Sequence, residues 1–391
     1  MKRVTKALLV PALVVVLTLT AFWAGTVYAG LGGTIPVVGA GRTNVGVLVD
    51  QVDRLIQQNA LVPSSETSEV TGAIDGLLGS LEDTYAAYFT PDQYAALQES
   101  QSGQFFGVGI AVGLNKDNQP YATRVFPGSP AEQAGVKAGD VFTAVNGQKE
   151  AKWDLEAWVA LVRGPAGSTV LLEITRAGKA PFNVTLTRAK ISVPSTTMKM
   201  YGDVGYVRLM SFNDLSAAEL ATQIKAMDAQ GAKGYILDLR QNPGGLLASA
   251  IDVVSLFVPD GVAVRVDERG KPEEVQNVTG NAITSKPLVL LVDGYSASAS
   301  EIVAGALKDH SRVTIVGVKT YGKGSVQQVQ PIANGGAVKM TIAHYLTPNR
   351  SVINGVGVTP DFVVPMDPIK QLDEKTDIQL TKALEVLRSK L

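Results

Sequence analysis

Apolar positions change period several times along the chain, and each change marks a new kind of element. The first stretch is an almost unbroken apolar run from Ala7 to Ala29, behind Lys2, Arg3 and Lys6. About 23 apolar residues behind a cationic start fit an export signal, cleaved after Val27-Tyr28-Ala29, or a retained membrane anchor. Residues 1–29 are therefore expected to be signal peptide or anchor. Gly30 to Gly41 is glycine-rich and aperiodic, so residues 30–42 read as a tether. Helical spacing follows: Val45, Leu48, Val49, Val52, Leu55 and Ile56 form one stripe, and Val70, Ile74, Leu77, Leu78 and Leu81 a second. Two such helices cannot each bury an apolar face alone. The N-terminal helical segment, residues 43–103, is expected to dock on another domain or a second subunit. Within it Asp83 to Pro91, rich in aromatics, reads as a packed turn.

From Gln104 the period shortens. Gly107-Val108-Gly109-Ile110-Ala111-Val112 alternates glycine with apolar residues, and Asn146-Gly147 marks a hairpin turn. Short strands punctuated by glycine predict a small β-domain over residues 104–190. From Tyr201 helix and strand patterns alternate, as in a mixed α/β domain, here residues 191–370. Strands are expected at 204–209, 235–240 and 288–292, with further apolar runs at 313–317 and near 338–345. Helices are expected at 215–229 and 246–257. Leu380, Ala383, Leu384, Leu387 and Leu391 then fall on one face of a final helix within 371–391.

Composition removes several function classes. A length of 391 residues allows roughly two or three domains. The 35 Lys and Arg are scattered among 36 Asp and Glu, which leaves no footprint for nucleic acid. There is no cysteine, and hence no disulfide, thiolate metal site or cysteine nucleophile. Only His310 and His344 represent histidine. No metal or cofactor is expected.

Ser296, Ser298 and Ser300 follow the apolar run 288–292 at the mouth of a helix. Ser298 and Glu301 also match the capping-box pattern, and a capping serine and a nucleophile are compatible. The helix N-terminus offers unpaired N–H groups and a positive dipole, where an acyl oxyanion could rest. Spacing does not choose among the three serines. A serine nucleophile needs a base. His310 lies at the far end of the same helix, roughly 18 Å away at 1.5 Å per residue. His344 lies within a predicted strand, and Asp293 and Asp309 have no histidine to orient, so a Ser-His-Asp triad is disfavoured. Lys323, between Gly322 and Gly324, is the better base, provided that burial lowers its pKa from about 10.4. Gln327 shares the face of Lys323 if the backbone there is extended, and so could orient the amine. The turn Gly244-Gly245, with the N–H of Ala299, would supply two oxyanion donors. Residues 317–324 imitate a phosphate-binding loop, but Gly324 stands where the Mg²⁺-binding hydroxyl belongs, so nucleotide binding is not expected.

Four motifs together resemble a PDZ domain in the circularly permuted arrangement of bacterial proteases: Phe106-Gly107-Val108-Gly109, Gly128-Ser129-Pro130-Ala131, Ala138-Gly139-Asp140 and Val145-Asn146-Gly147. Such a domain implies capture of an extended C-terminal peptide, its carboxylate held by N–H groups of the loop Phe106, Gly107, Val108 and Gly109. Residues 296–307, 320–327, 237–245, 345–348 and 355–361 resemble the carboxyl-terminal processing (tail-specific) peptidases, and the likeness runs from about Thr43 to Leu391. Arg350 departs from the family's usual glycine, in a turn. The resemblance implies an α/β protease core of the ClpP/crotonase-like kind, with an inserted PDZ domain and an N-terminal helical segment. It makes Ser298 the nucleophile, Lys323 the general base 25 residues on, and Gln327 its orienting partner. Oxyanion donors carry over to Gly244 or Gly245 and to Ala299. Arg163 resembles the PDZ arginine that couples tail binding to activation.

The implied enzyme is exported to the cell envelope, periplasmic or otherwise extracytoplasmic, and acts on proteins with apolar C-terminal tails. Membrane association through an uncleaved N-terminus, self-association through the terminal helices and an activating adaptor are the further partners expected. Two rival readings are an inactive PDZ scaffold that binds tails without cutting, and an esterase-like hydrolase, which would not need the PDZ domain.

Overall fold

The computed structural model describes residues 44–62, 64–150, 152–367 and 374–391. The expected leader and tether lie outside the described residues. The chain divides into two units, the first ending at Ala73 and the second beginning at Ile74. Helices α1 (Val45–Asn59) and α2 (Glu66–Gly79) open the described chain. Asn44 caps α1 by accepting the Gly46 N–H at 3.1 Å. The predicted stripe is present, yet Val45, Leu48, Val52 and Leu55 remain exposed. Val45, Leu48, Val49, Val52 and Ile56 line an apolar cleft with Gly72 and Ala73. Among the described residues no helix is long and apolar enough to cross a membrane.

In the second unit the aromatic turn runs into a short strand, β1 (Ala87–Phe89), and then α3 (Pro91–Ser102). Thr90 and Gln93 form a reciprocal capping box at the start of α3. After β2 (Gln104–Gly107) comes a five-stranded antiparallel sheet in sequential order. Its strands are β3 (Ile110–Leu114), β4 (Pro120–Val125), β5 (Val141–Val145), β6 (Thr169–Thr175) and β7 (Phe182–Thr187). Helices α4 (Pro130–Gln133) and α5 (Leu155–Val162) belong to the same layer, and β8 (Ala189–Ser192) returns to pair with β2. Phe142, Trp158, Leu172, Ile174 and Leu186 form its core, with the Phe142 and Trp158 rings 5.0 Å apart. Alternation along β6 explains the layer: every second residue is buried and the others are not.

The remainder is built on a six-stranded sheet, ordered β18-β15-β14-β11-β10-β9. The strands are β9 (Thr196–Tyr201), β10 (Val204–Leu209), β11 (Gly234–Asp238), β14 (Leu288–Val292), β15 (Thr314–Gly317) and β18 (Phe362–Val363). All neighbours are parallel except β9 with β10. Helices α6 (Ser216–Ala229), α7 (Leu247–Ser255) and α8 (Ala299–Asp309) cover one face, and α9 (Ile378–Arg388) covers the other. Both faces are therefore buried, which is why β14 is apolar at every position rather than at alternate ones. Leu288, Leu290 and Val292 join the core under α6–α8, while Val289 and Leu291 face α9. A second sheet, ordered β1-β17-β12-β13 with β16 also on β17, contains β12 (Val262–Glu268), β13 (Glu274–Asn277), β16 (Ser325–Pro331) and β17 (Ala337–Leu346).

One buried ion network ties α9 to the end of β11. Arg240, 2% exposed, donates to both oxygens of Asp238 at 2.7–3.0 Å and to Asp377 at 2.8 and 2.9 Å. The Tyr206 hydroxyl donates to Asp238 at 2.7 Å, and Asp377 also accepts the Leu380 N–H as the cap of α9. The two carboxylates hold the Arg240 guanidinium well above its usual range, against the cost of burial. Removing one partner of a buried pair typically costs 3–5 kcal/mol, and Arg240 would keep Asp238. Asp377→Ala is thus expected to lower unfolding stability by about 3 kcal/mol in a denaturant titration. A loss below about 1 kcal/mol would show that the network carries little weight.

Candidate active site

The wholly buried β14 delivers the chain to a tight turn before α8. The carboxylate of Asp293 organises that turn, accepting N–H groups from Gln241 and Tyr295 at 2.9 Å and from Ser296 at 3.1 Å. The hydroxyl of Ser296 donates to the carbonyl of Leu239 at 2.8 Å, and that of Ser300 to the carbonyl of Asn242 at 2.9 Å. Both serines are fully buried. Ser298 is partly exposed and has φ +56° and ψ −113°, a strained conformation for a residue with a side chain. Geometry thus separates three serines that spacing could not.

The turn after β11 presses directly on Ser298. A Cβ at Gly244 would lie 2.9 Å from both Ser298 Cβ and Ala299 N, so only glycine permits the approach. The N–H of Gly244 is already donated to Asn242 Oδ1 at 2.9 Å. Among the described residues the N–H groups of Gly245 and Ala299 have no acceptor. Of the two glycines, Gly245 is therefore the one with a donor to spare. Ala299 opens α8, where the helix dipole adds to the positive potential.

Glu301 connects this turn to the lysine loop. Its fully buried carboxylate accepts the Ser298 N–H at 2.9 Å and the Lys323 N–H at 2.8 Å on one oxygen. The other oxygen accepts the Gly322 N–H and the Thr320 hydroxyl, each at 2.6 Å. The capping box read from the sequence is only part of this role, because three of the four donors lie beyond the helix. The far side of the loop is fixed too: a Cβ at Gly324 would meet Asn354 N at 2.3 Å.

Lys323 sits partly buried on that loop. Burial holds its amine below the ordinary lysine range, and the charge of Lys339 adds to the effect against the opposing pull of Glu301. Nζ lies 4.5 Å from the centroid of the Tyr85 ring. Among the described residues no hydrogen bond joins Gln327 to it. Its Nε2 donates to Ser325 Oγ at 2.8 Å and Thr341 Oγ1 at 3.2 Å. Lys323 precedes β16, and the pairing of β16 with β17 shifts register between Val326 and Gln327. Four residues of uninterrupted extended chain, on which a shared face depends, are absent. Of the histidines, His310 ends α8 with its ring on the Val262 carbonyl at 2.8 Å, and His344 is an exposed residue of β17 opposite Asp267 on one side and Ser325 on the other.

The glycine loop of residues 106–109 is buried at Val108 and Gly109, while Phe106 is exposed. Val108 and Gly109 accept through their carbonyls from Ala131 and Phe126, but their own N–H groups have no acceptor among the described residues. Gly107 ends β2. Arg163 caps the C-terminus of α5, pairs with Glu99 of α3 at 3.1 Å, and stacks 6.0 Å from the Phe105 ring. It thus links the five-stranded sheet to the helix that precedes it, in a cavity also lined by Arg124, Phe126 and Met210.

A mixed α/β core that ties a strained serine turn and a half-buried lysine loop to one buried carboxylate, with a small β-domain attached, is an arrangement suited to a serine hydrolase. Comparison makes it specific. The model of peptidase family S41 matches residues 203–364, and that of the PDZ domain matches residues 121–176. The carboxyl-terminal-processing protease of Synechocystis sp. is 37% identical over 334 residues, 83% of this chain and 78% of that protein. The carboxy-terminal-processing protease of Bartonella bacilliformis is 37% identical over 339 residues, 85% and 77% of the two chains. A putative S41 protease structure from Bacteroides fragilis shares the fold, with a TM-score of 0.50 at 16% identity over 88% of this chain and 97% of that one. The chain belongs to peptidase family S41, among the carboxyl-terminal processing proteases, and carries their PDZ domain.

Proposed function

We propose that the chain is an exported serine endopeptidase that takes protein C-terminal tails on its PDZ domain and cuts by a Ser298–Lys323 mechanism. The observation that carries this reading is the Glu301 carboxylate, one oxygen of which holds the backbones of both residues. Neutral Lys323 removes the Ser298 proton as Oγ attacks the peptide carbonyl. The oxyanion rests on the N–H groups of Gly245 and Ala299, which cost no reorganisation because they have no acceptor among the described residues. On collapse the C–N bond breaks and the Lys323 ammonium returns the proton to the leaving amine. Lys323 then takes a proton from water as its oxygen attacks the acyl carbon; the bond from that carbon to Oγ breaks, and the Lys323 ammonium returns the proton to Ser298. Gln327 acts in this scheme through the Ser325–Thr341 pair beside the loop, not by a direct bond to the amine.

Tail capture is supported by the N–H groups of Val108 and Gly109, which have no acceptor among the described residues and can hold a carboxylate. Export rests on the apolar N-terminal run behind its cations. Its stacking on Phe105, next to the loop, and its pairing with α3 support a role for Arg163 in coupling tail binding to activity.

The test is proteolysis of an unfolded reporter ending in an apolar tail, compared with the same reporter ending in two aspartates. Cleavage should fall by about tenfold or more with the acidic tail, a difference of about 1.4 kcal/mol in recognition. It should vanish in Ser298→Ala. Cleavage retained by that variant would reject the mechanism. Tail binding without any cleavage would identify a scaffold instead.

A further inference from the structure

The aromatic turn ahead of β1 is far from the catalytic loops in sequence, but the fold carries it to the lysine. We infer that Tyr85 is a positioning residue for Lys323: its ring roofs the amine, keeping it dry and directed into the site. The inference rests on the Ser298–Lys323 reaction proposed above.

The turn is fastened at both ends. One oxygen of Asp83 accepts the Tyr85 N–H and the Thr341 hydroxyl, each at 3.0 Å, and the other accepts the Thr341 N–H at 2.7 Å. The Ala86 N–H donates to the Asp83 carbonyl at 3.0 Å. Two residues later β1 joins β17, with Ala87 opposite Lys339 and Phe89 opposite Ala337. Tyr85 is thus held on β17, whose Thr341 also receives the Gln327 amide. From there the ring faces Nζ of Lys323 at 4.5 Å from its centroid.

A lysine side chain has a flexible four-carbon stem and would otherwise wander. A fixed ring over Nζ removes water from one side of it. The ring face also attracts the ammonium, which opposes loss of the proton. Burial holds the amine below its ordinary range, and the ring 4.5 Å from Nζ is part of what buries it. The groups acting on it are Lys339 from β17 and Glu301 from α8, beside the ring of Tyr85, whose own phenol interacts with Tyr321. The Tyr85 hydroxyl is itself pushed up, by burial first and then by Tyr321 and Glu301, so it stays neutral. The ring is the working part, and the hydroxyl is dispensable.

The experiment uses the full chain, with Tyr85→Ala and Tyr85→Phe measured beside Ser298→Ala. Two readouts are taken: kcat and KM against pH, and the titration of Lys323 followed by NMR after ¹³C-methylation of the lysines. In Tyr85→Ala, kcat near neutral pH should fall about tenfold with KM unchanged, because the acid limb moves up by about one pH unit. The deficit should close at high pH, and the Lys323 titration should move up with it. Tyr85→Phe should match the parent in both. Should Tyr85→Ala not fold, Tyr85→Gln keeps side-chain length without a ring and is read the same way.

An unmoved Lys323 titration in the ring-deleted chain would overturn the inference. So would an equal loss at every pH, or a Phe variant as impaired as the Ala one. Were the parent to cut nothing, or Ser298→Ala to cut normally, the proposed reaction would fail, while the lysine titration would still decide the role of Tyr85.

Discussion

Ser298→Ala is expected to slow peptide cleavage about 10⁵- to 10⁶-fold, and adding Lys323→Ala should cost almost nothing more. A nucleophile and its base act as one unit, so removing either abolishes the same step. On the proposed mechanism, what survives is binding and the oxyanion donors of Gly245 and Ala299, worth about 10³ to 10⁴ over water. Lys323→Ala alone should fall nearly as far. Lys323→Arg should not rescue it, because a guanidinium cannot give up its proton to become a base. The parent rate should rise with pH as Lys323 deprotonates, with a midpoint below the ordinary lysine range, since burial and Lys339 favour the neutral amine. Single-turnover rates of the four chains give the cycle directly. Additive losses in the double variant would mean that the two residues act in separate steps, and the dyad would have to be abandoned.

Much of this site is visible in the sequence because its elements are locally encoded. β14 is apolar throughout since helices cover both of its faces, and a strand so written fits the middle of an α/β sheet. The serines that follow, the glycine pair at 244–245 and the lysine between glycines each carry a turn requirement that spacing reveals. Even here the pattern stops short: only the hydrogen bonds of Ser296 and Ser300 show why Ser298 is the exposed one. Gln327 shows the limit more sharply. Its place relative to Lys323 depends on a register shift against β17, and a bulge is set by the partner strand rather than by the strand itself. Strand β1 pairs with β17, far along the chain, and Tyr85 reaches Lys323 only through that pairing. Period and propensity do not encode contacts of that kind. The exposed stripe of α1 was legible as a stripe, but what covers it is not written in its spacing.

Glu301→Gln should lower kcat by about 10²- to 10³-fold while leaving KM close to that of the parent, although Glu301 touches no substrate. The carboxylate accepts four hydrogen bonds, two on each oxygen. The amide keeps one acceptor oxygen, and its NH₂ group meets donors where the second oxygen stood. If the NH₂ replaces the oxygen shared by Ser298 and Lys323, two N–H groups are left facing a donor, and the nucleophile turn parts from the base loop. If it replaces the other oxygen, the Gly322 N–H and the Thr320 hydroxyl are stranded and the loop shifts from its other end. Either way the dyad moves, and a misplacement of about 1 Å costs roughly 10² in rate. Hydrogen bonds to a charged group are worth about 1.5–3 kcal/mol each, but removing a buried charge returns part of its desolvation cost. Stability should therefore fall by only about 2–3 kcal/mol, leaving a folded chain in which KM can be measured. Glu301→Asp keeps the charge but withdraws it by one methylene from four fixed donors, and should be impaired to a similar degree. The discriminating measurement is the kcat and KM pair for both variants beside their unfolding midpoints. A Gln variant within a few-fold of the parent would show that the two halves of the site are held together by the surrounding backbone, and that the carboxylate merely fills the space between them.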